Sequence, residues 1–294
     1  MPLKPDQKIE RKSFDRRDKR PAERVERKQR TTAYKTTPDL QVMVDAALKA
    51  GRRLMKDFRE VENLQVSRKG PADFVSKADL MADKILKEEL SYARPGYGFL
   101  TEESGETIGE KNARFIIDPL DGTTNFLHGL PHWAISIALE KEGELTAGVI
   151  YDPCKDEMFY AEKGFGAYCN RNILRVSKRD KMEEALLAIG FPFKGQSDEY
   201  KERFRRDMEI IMNETPGARR WGAAALDMAY VAAGRHDAYR ETEISVWDVA
   251  AGVVLVQEAK GVVKDVDGKD YSVDSTSMMA SNVEIYPKLL KLFK

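Results

Sequence analysis

The sequence predicts a mixed α/β protein, α+β in its first half and α/β in its second, with no linker-like break between them. Three patterns carry that expectation. Helical periodicity follows a charged N-terminal stretch, short apolar strands fill the middle, and strands alternate with helices from about Met182 onward. No internal repeat is evident.

Order is expected to begin near Pro38–Asp39. Leu40, Met43, Val44, Ala47, Leu48, Leu54, Met55 and Phe58 recur at helical spacing and define one face of a first helix. A short strand over Leu64–Arg68 and a turn at Lys69-Gly70-Pro71 follow. A second helix runs from about Ser76 to Ala93, where Pro95-Gly96 stops it. Gly98–Leu100 and Arg114–Ile117 read as buried strands with acids at their ends. His132–Leu139, Leu145–Tyr151, Glu157–Glu162 and Ala167–Cys169, parted by Gly or Pro turns, predict an antiparallel meander. The second half reads as a strand over Ala185–Phe191 and helices over Glu199–Asn213 and Ala224–Ala233. A strand over Asp237–Arg240, a helix over Val249–Ala259 and a strand over Val262–Val266 complete it.

The 294 residues carry 49 Lys+Arg and 49 Asp+Glu, a zero made of unlike parts. Residues 1–37 hold 13 basic and 6 acidic side chains, while the remainder holds 36 basic and 43 acidic. That N-terminal stretch has few large apolar residues and cannot offset its ordering entropy. It is expected to be a basic, disordered extension to a domain over 38–294, with subregions of about 38–180 and 181–294. Its acids argue against a mitochondrial presequence. A merely solvated extension and an arm for RNA or a protein partner both remain open for it. The absence of interleaved aromatics weakens the second. Ordinary Gly and Pro contents exclude a collagen-like chain, and runs such as Val249–Val256 fall far short of the roughly 20 residues of a membrane span. No membrane association is expected. Cys154 and Cys169, with no secretory apolar stretch near Met1, read as reduced thiols in a cytoplasmic protein. His128 and His132 do not make a helical metal pair, because Gly129 and Pro131 lie between them.

The informative stretch runs from Arg114 to His132. An apolar strand ends in Asp118, followed by Pro119-Leu120-Asp121-Gly122-Thr123-Thr124. Two carboxylates three residues apart beyond a strand end can converge on one hard cation, with the Leu120 carbonyl as a third oxygen. Gly122 leaves room for backbone N–H groups to approach an anion, and Thr123 adds a hydroxyl. Acids, a carbonyl and water are the ligand set Mg²⁺ prefers. A plain turn capped by its own side chains is the alternative. Two further acids support the site: Glu102, in Thr101-Glu102-Glu103-Ser104, and Asp248, in Val246-Trp247-Asp248. Taken singly, Glu102 also fits a surface acid after an edge strand, and Asp248 an ordinary helix N-cap. Acids converging on one pocket repel one another, so such a site works only with divalent metal.

These residues resemble the inositol monophosphatase family, lithium-sensitive Mg²⁺ phosphatases that share a fold with fructose-1,6-bisphosphatase. Its motifs stand here as Thr101-Glu102-Glu103-Ser104, Ile117-Asp118-Pro119-Leu120-Asp121-Gly122-Thr123-Thr124-Asn125-Phe126 and Trp247-Asp248-Val249-Ala250-Ala251-Gly252. Ala72-Asp73-Phe74-Val75-Ser76-Lys77-Ala78-Asp79 lies upstream in the family's order. The resemblance covers about 38–294 and implies a layered α-β-α-β-α sandwich, a homodimer and two to three Mg²⁺ per site. It assigns Glu102, Asp118 and the Leu120 carbonyl to one ion, Asp118, Asp121 and Asp248 to a second, and Glu102 to a weaker third. Asp79 and Thr123 would activate the attacking water, with Glu102 beside them in the catalytic set. Backbone N–H groups of Gly122 and Thr123 would bind phosphate, without a covalent phospho-enzyme.

The same resemblance implies a small phosphate monoester as substrate, myo-inositol 1-phosphate in first place. Glu241 is the acid that would grip polyol hydroxyls, although it also reads as a surface acid in a charged run. Gly222-Ala223-Ala224 matches the small-residue segment lining the pocket, with Ala223 where a Ser or Thr is frequent. Arg219 sits where the bacterial branch links an arginine to substrate, an interface salt bridge being the other reading. Thr124-Asn125-Phe126 after Gly-Thr favours inositol phosphates over adenosine bisphosphate or histidinol phosphate. A haloacid dehalogenase-type phosphatase is the nearest rival, but its paired aspartates are two apart. A family member acting on another sugar or nucleotide phosphate, or one also recruited to RNA or the transcription machinery, is the wider alternative.

Overall fold

Thr37 starts the first helix, α1 (Pro38–Phe58), by accepting a hydrogen bond from the Leu40 amide at 3.3 Å. A computed structural model describes residues 36–61, 71–192 and 196–293, with the backbone alone over 71–76. The basic extension expected over 1–37 lies outside the described residues as far as position 35, as do the Leu64–Arg68 strand and the Lys69-Gly70 turn. The second helix, α2 (Pro71–Ala93), starts five residues before the expected Ser76. Proline suits a first helical turn, where its missing N–H has no intrahelical partner to lose.

The middle of the chain forms one large sheet from β1 (Gly98–Thr101), β2 (Gly105–Thr107), β3 (Ala113–Asp121), β4 (Ala134–Lys141), β5 (Glu144–Asp152), β6 (Glu157–Glu162), β7 (Gly166–Cys169) and β8 (Asn172–Ile173). Their order is β2-β1-β3-β4-β5-β6-β7-β8. β1 and β3 run parallel, and β4 to β8 form the expected antiparallel meander. A short helix, α3 (Thr123–Leu127), follows β3 where the sequence pattern predicts only a loop.

The second sheet takes β9 (Leu187–Ile189), β10 (Ala218–Arg219), β11 (Ala238–Thr242), β12 (Val262–Lys264) and β13 (Ser277–Ser281) in the order β10-β9-β11-β13-β12. Helices α4 (Asp198–Glu214), α5 (Ala224–Ala232), α6 (Val246–Glu258) and α7 (Tyr286–Leu292) intervene or follow. β10, β13 and α7 are additions to the elements expected from sequence.

Period-two burial sorts these elements into layers. Phe115, Ile117, Ile135 and Ile137 pack with α1 and α2, whereas Ile116, Ala138 and Ile150 face α5 and α6 on the other side. Ala188, Tyr239 and Ala280 close that second core from the small sheet. Leu187, Ile189 and Met279 point outward into a third core with Ile211 of α4 and Leu289 of α7. The result is the α-β-α-β-α sandwich.

Two details position the site. The β3–β4 register shifts between Asp118 and Asp121, because Pro119 cannot donate to the ladder. α6 also presses on the large sheet at Gly148, where a Cβ would stand 2.4 Å from the Ala251 carbonyl oxygen. Ser136, paired with Asp118 across the strands, donates its hydroxyl to the Trp247 carbonyl at 3.2 Å. That bond brings the first turn of α6 beside the end of β3.

Candidate active site

Thr101 and Ile117 are in register on the parallel pair β1 and β3, so Glu102 and Asp118 leave their strands at the same level. The Glu102 amide donates to the Ile117 carbonyl at 3.2 Å, and Thr101 and Ser104 join through their hydroxyls at 2.8 Å. Asp118 is buried and accepts from the Leu120 amide at 2.9 Å. Asp121 takes two first-turn amides of α5, Ala225 N at 2.8 Å and Ala224 N at 3.2 Å. A carboxylate is favoured there by the helix dipole.

Asp248 does not serve as the N-cap. Ser245 is the cap of α6, and Asp248 stands at the third position, accepting from the Ser245 amide at 3.0 Å in a capping box. Helix α6 therefore begins at Val246, before the Val249 read from sequence, because the cap is Ser245 and Asp248 already lies within the first turn.

Gly122 has φ 91°, and a Cβ on it would stand 3.1 Å from the His132 carbonyl and 3.3 Å from the Ala223 Cβ. Glycine is needed for both reasons. Asn125 ties the turn down, donating to the carbonyls of His132 at 2.7 Å and Trp221 at 2.8 Å. The Thr123 hydroxyl donates to the Leu120 carbonyl at 3.0 Å, while Asp79 Oδ1 is buried without a partner. The expected Thr123–Asp79 bond is thus not formed, because the single hydroxyl hydrogen is committed to a carbonyl three residues back.

Electrostatically the acids act on one another. Burial, then Asp121, Glu102, Asp248 and Asp79, hold Asp118 well above the usual carboxylate range. Burial and Asp248 do the same to Asp121 against its two amide bonds. Burial pushes Asp248 up to about 7. Burial, with Glu103 and Glu102, pushes Asp79 up to about 8. Glu102 is also raised by desolvation, although a hydrogen bond with Asp118 pulls it down. Oxygen donors with no facing cation among these causes are the donor set a hard divalent ion needs. Among the described residues no three acids meet closely enough at a common point to form a finished metal site.

A cavity of about 280 Å³ opens beside these acids. Glu102, Asp121 and Asp248 line it, together with the expected Gly222, Ala223 and Ala224. Glu241 also lines it, accepting from the Tyr239 hydroxyl, so it is not the surface acid of the alternative reading. Arg219 is exposed on β10 and bonds the Ala218 carbonyl at 3.0 Å. Its neighbour Arg220 lines the cavity instead. Gly222 permits this, since a Cβ there would lie 2.2 Å from Arg220 Nη1. Asp227 of α5 lines the cavity too, and sequence reasoning missed it. Cys154 and Cys169 are both free thiols, pushed up by burial to about 12 and about 11. No described helix is long and apolar enough to cross a membrane.

Known proteins are similar to this chain in sequence and fold. An inositol-1-monophosphatase of Mesorhizobium japonicum is 52% identical over 87% of this chain and 96% of its own length. A protein named Nus factor SuhB from Pseudomonas aeruginosa is 40% identical over 86% of this chain and 94% of its own. The crystal structure of extragenic suppressor protein suhB from Bartonella henselae matches with a TM-score of 0.81 and 50% identity, covering 88% of this chain and 99% of that one. The sequence profile of the inositol monophosphatase family matches residues 35–294. With that match joined to the acids at the ends of β1, β3 and the first turn of α6, the chain belongs to the inositol monophosphatase family.

Proposed function

We propose that the chain is a Mg²⁺-dependent phosphomonoesterase that hydrolyses an inositol monophosphate, myo-inositol 1-phosphate to myo-inositol and phosphate. The observation that carries this reading is the cavity itself, lined by the metal-type acids Glu102, Asp121 and Asp248 together with Arg220, Asp227 and Glu241. Glu102, Asp118, Asp121, Asp248 and the Leu120 carbonyl would hold two to three ions. Bound Mg²⁺ supplies charge compensation for the phosphoryl oxygens, a more acidic attacking water and support for the departing alkoxide.

The chain's own residues do the rest. Backbone N–H groups after the Gly122 turn orient the phosphate. The ionised Asp79 carboxylate accepts a hydrogen bond from the Thr123 hydroxyl once that hydroxyl leaves the Leu120 carbonyl, and the Thr123 oxygen is then free to accept from the attacking water and orient it. Glu241 accepts hydroxyl hydrogens of the polyol. Phosphate release from inositol, fructose and adenosine phosphates, with and without Mg²⁺ and Li⁺, tests the reading. Preference for a nucleotide or sugar ester would shift the substrate within the family; turnover in EDTA would sink the metal role.

The likeness to proteins named Nus factor SuhB favours a second role in binding RNA or a protein partner, and the basic residues 1–37 are a candidate arm for it on their charge alone. Deleting residues 1–35 spares Thr37, which caps α1 and bonds Glu162. Loss of RNA or protein binding with turnover kept supports that role, and no change in binding rejects it.

A further inference from the structure

Asp227, in the first turn of α5, belongs to none of the motifs that mark this site. Its side chain is almost fully buried, lines the cavity, and carries Oδ1 with no hydrogen-bond partner. Leaving a buried carboxylate oxygen unmet is costly, so its retention needs a cause.

Behind it stands His236. Its buried Nδ1 lies 3.8 Å from Asp227 Oδ1, and the Asp227 backbone also faces the ring. Its Nε2 accepts from Trp221 Nε1 at 3.3 Å. Burial lowers this imidazole to about 4, so the ring is neutral, and the tryptophan bond assigns its hydrogen to Nδ1, on the Asp227 side. At 3.8 Å the pair is not hydrogen-bonded. Trp221 is half-exposed and stacks on His132 with ring centroids 5.3 Å apart. Burial, then Glu241 and Asp121, raise Asp227, and Arg220 draws it down. Arg220 has the same sense of effect on Glu241. The charge of one guanidinium therefore acts on two carboxylates that line the same cavity.

We propose that Asp227, backed by His236 and Trp221, is a specificity-determining residue that accepts a hydroxyl hydrogen from the alcohol part of the substrate. The proposal rests on the phosphatase reading above. An alcohol with hydroxyls on neighbouring carbons meets Asp227 and Glu241 together. A flat or apolar leaving group leaves both acids unmet, and sites built on hydrogen bonds reject such analogues strongly.

The test compares kcat/KM for myo-inositol 1-phosphate and for p-nitrophenyl phosphate, an ester without hydroxyls, in Mg²⁺-loaded enzyme. In Asp227→Ala the ratio of the two is expected to fall about tenfold or more, mainly through KM for the inositol ester. Asp227→Asn keeps one acceptor oxygen and recovers part of the ratio. Trp221→Phe keeps the stacked ring, loses the bond to His236, and lowers the ratio about two- to threefold. Equal losses on both esters in the Asp227 variants, or an unchanged ratio, overturn the proposal alone. A wild type that cleaves p-nitrophenyl phosphate but not the inositol ester overturns the parent reading, and this proposal with it.

Discussion

Two sets of buried carboxylates in this molecule are treated in opposite ways. Asp237, at the start of β11, accepts from Ser177, from Arg179 Nη1 at 3.0 Å and from the Leu186 amide at 2.7 Å. Asp152, at the end of β5, accepts from the amides of Cys154 and Lys155 and from Lys155 Nζ at 2.5 Å. Both tie loops to strand ends with their charge met. Asp118 and Asp121 are as deeply buried but face Glu102, Asp248 and each other. The scaffold supplies its own counter-charge, and in the proposed reading the site leaves that place to an ion from solution. An ionised group in low dielectric is tolerated only when something compensates it.

The largest effects come from exchanging one acid of each set. Asp118→Asn is expected to lower turnover by about 10³-fold or more, because the ligand common to both proposed ions loses its charge. Its metal-free melting temperature should stay level or rise, since one repelling charge is gone. Asp237→Asn should do the reverse: stability falls by about 2–4 kcal/mol in urea melts, while the folded fraction keeps kcat within about twofold. Near-normal turnover in Asp118→Asn breaks the comparison on one side. Lost turnover at full stability in Asp237→Asn breaks it on the other.

A smaller effect sharpens the same contrast through pH. Asp248 at about 7 and Asp79 at about 8 lie above the unfolded value of 3.8. The folded protein therefore holds protons that the unfolded chain has released. Their stabilisation is complete below pH ~4 and is lost as pH rises through about 7 to 8. Metal-free protein should melt several degrees lower at pH ~8.5 than at pH ~5.5. Saturating Mg²⁺ should restore the difference at the upper pH, where the carboxylates are ionised and able to bind. A metal-free melting temperature that rises over this interval contradicts the repulsion on which the site is argued.

How much of the molecule is legible in its sequence depends on what fixes each residue. That Glu102, Asp118, Asp121 and Asp248 come close together is readable because strand ends and a helix start restrict their positions, and the proposed hard-cation role restricts residue type. Arg220 is missed in favour of Arg219 because the two are adjacent, and only the fold at Gly222 decides which one turns inward. Asp227 sits among alanines in the first helical turn, where an acid reads as helix-end electrostatics. Its role depends on His236, nine residues on, which no local pattern announces. β13, with Met278, Met279 and Ala280 all buried, shows no alternation to read because it is covered on both faces. The helical periodicity of α1 and the glycine-spaced meander are strong signals, and their elements form close to the expected bounds.

The smallest effect separates two glycines that make room for different purposes. A Cβ on Gly190 would stand 2.0 Å from the Glu241 Cδ, whereas one on Gly252 of α6 would stand 2.4 Å from the Met228 Cβ on α5. Glu241 is a flexible acid at the cavity wall, so Gly190→Ala should turn its carboxylate aside without disturbing the core. KM for the inositol ester is expected to rise about three- to tenfold with kcat within about twofold, roughly 1 kcal/mol of lost binding. Gly252→Ala crowds a helix–helix contact and should cost about 1–3 kcal/mol of stability with KM little changed. Equal KM effects from both would mean that the cavity wall and the buried helix contact move as one body. The distinction between a site that waits for its ligand and a scaffold complete in itself would then fail at this boundary.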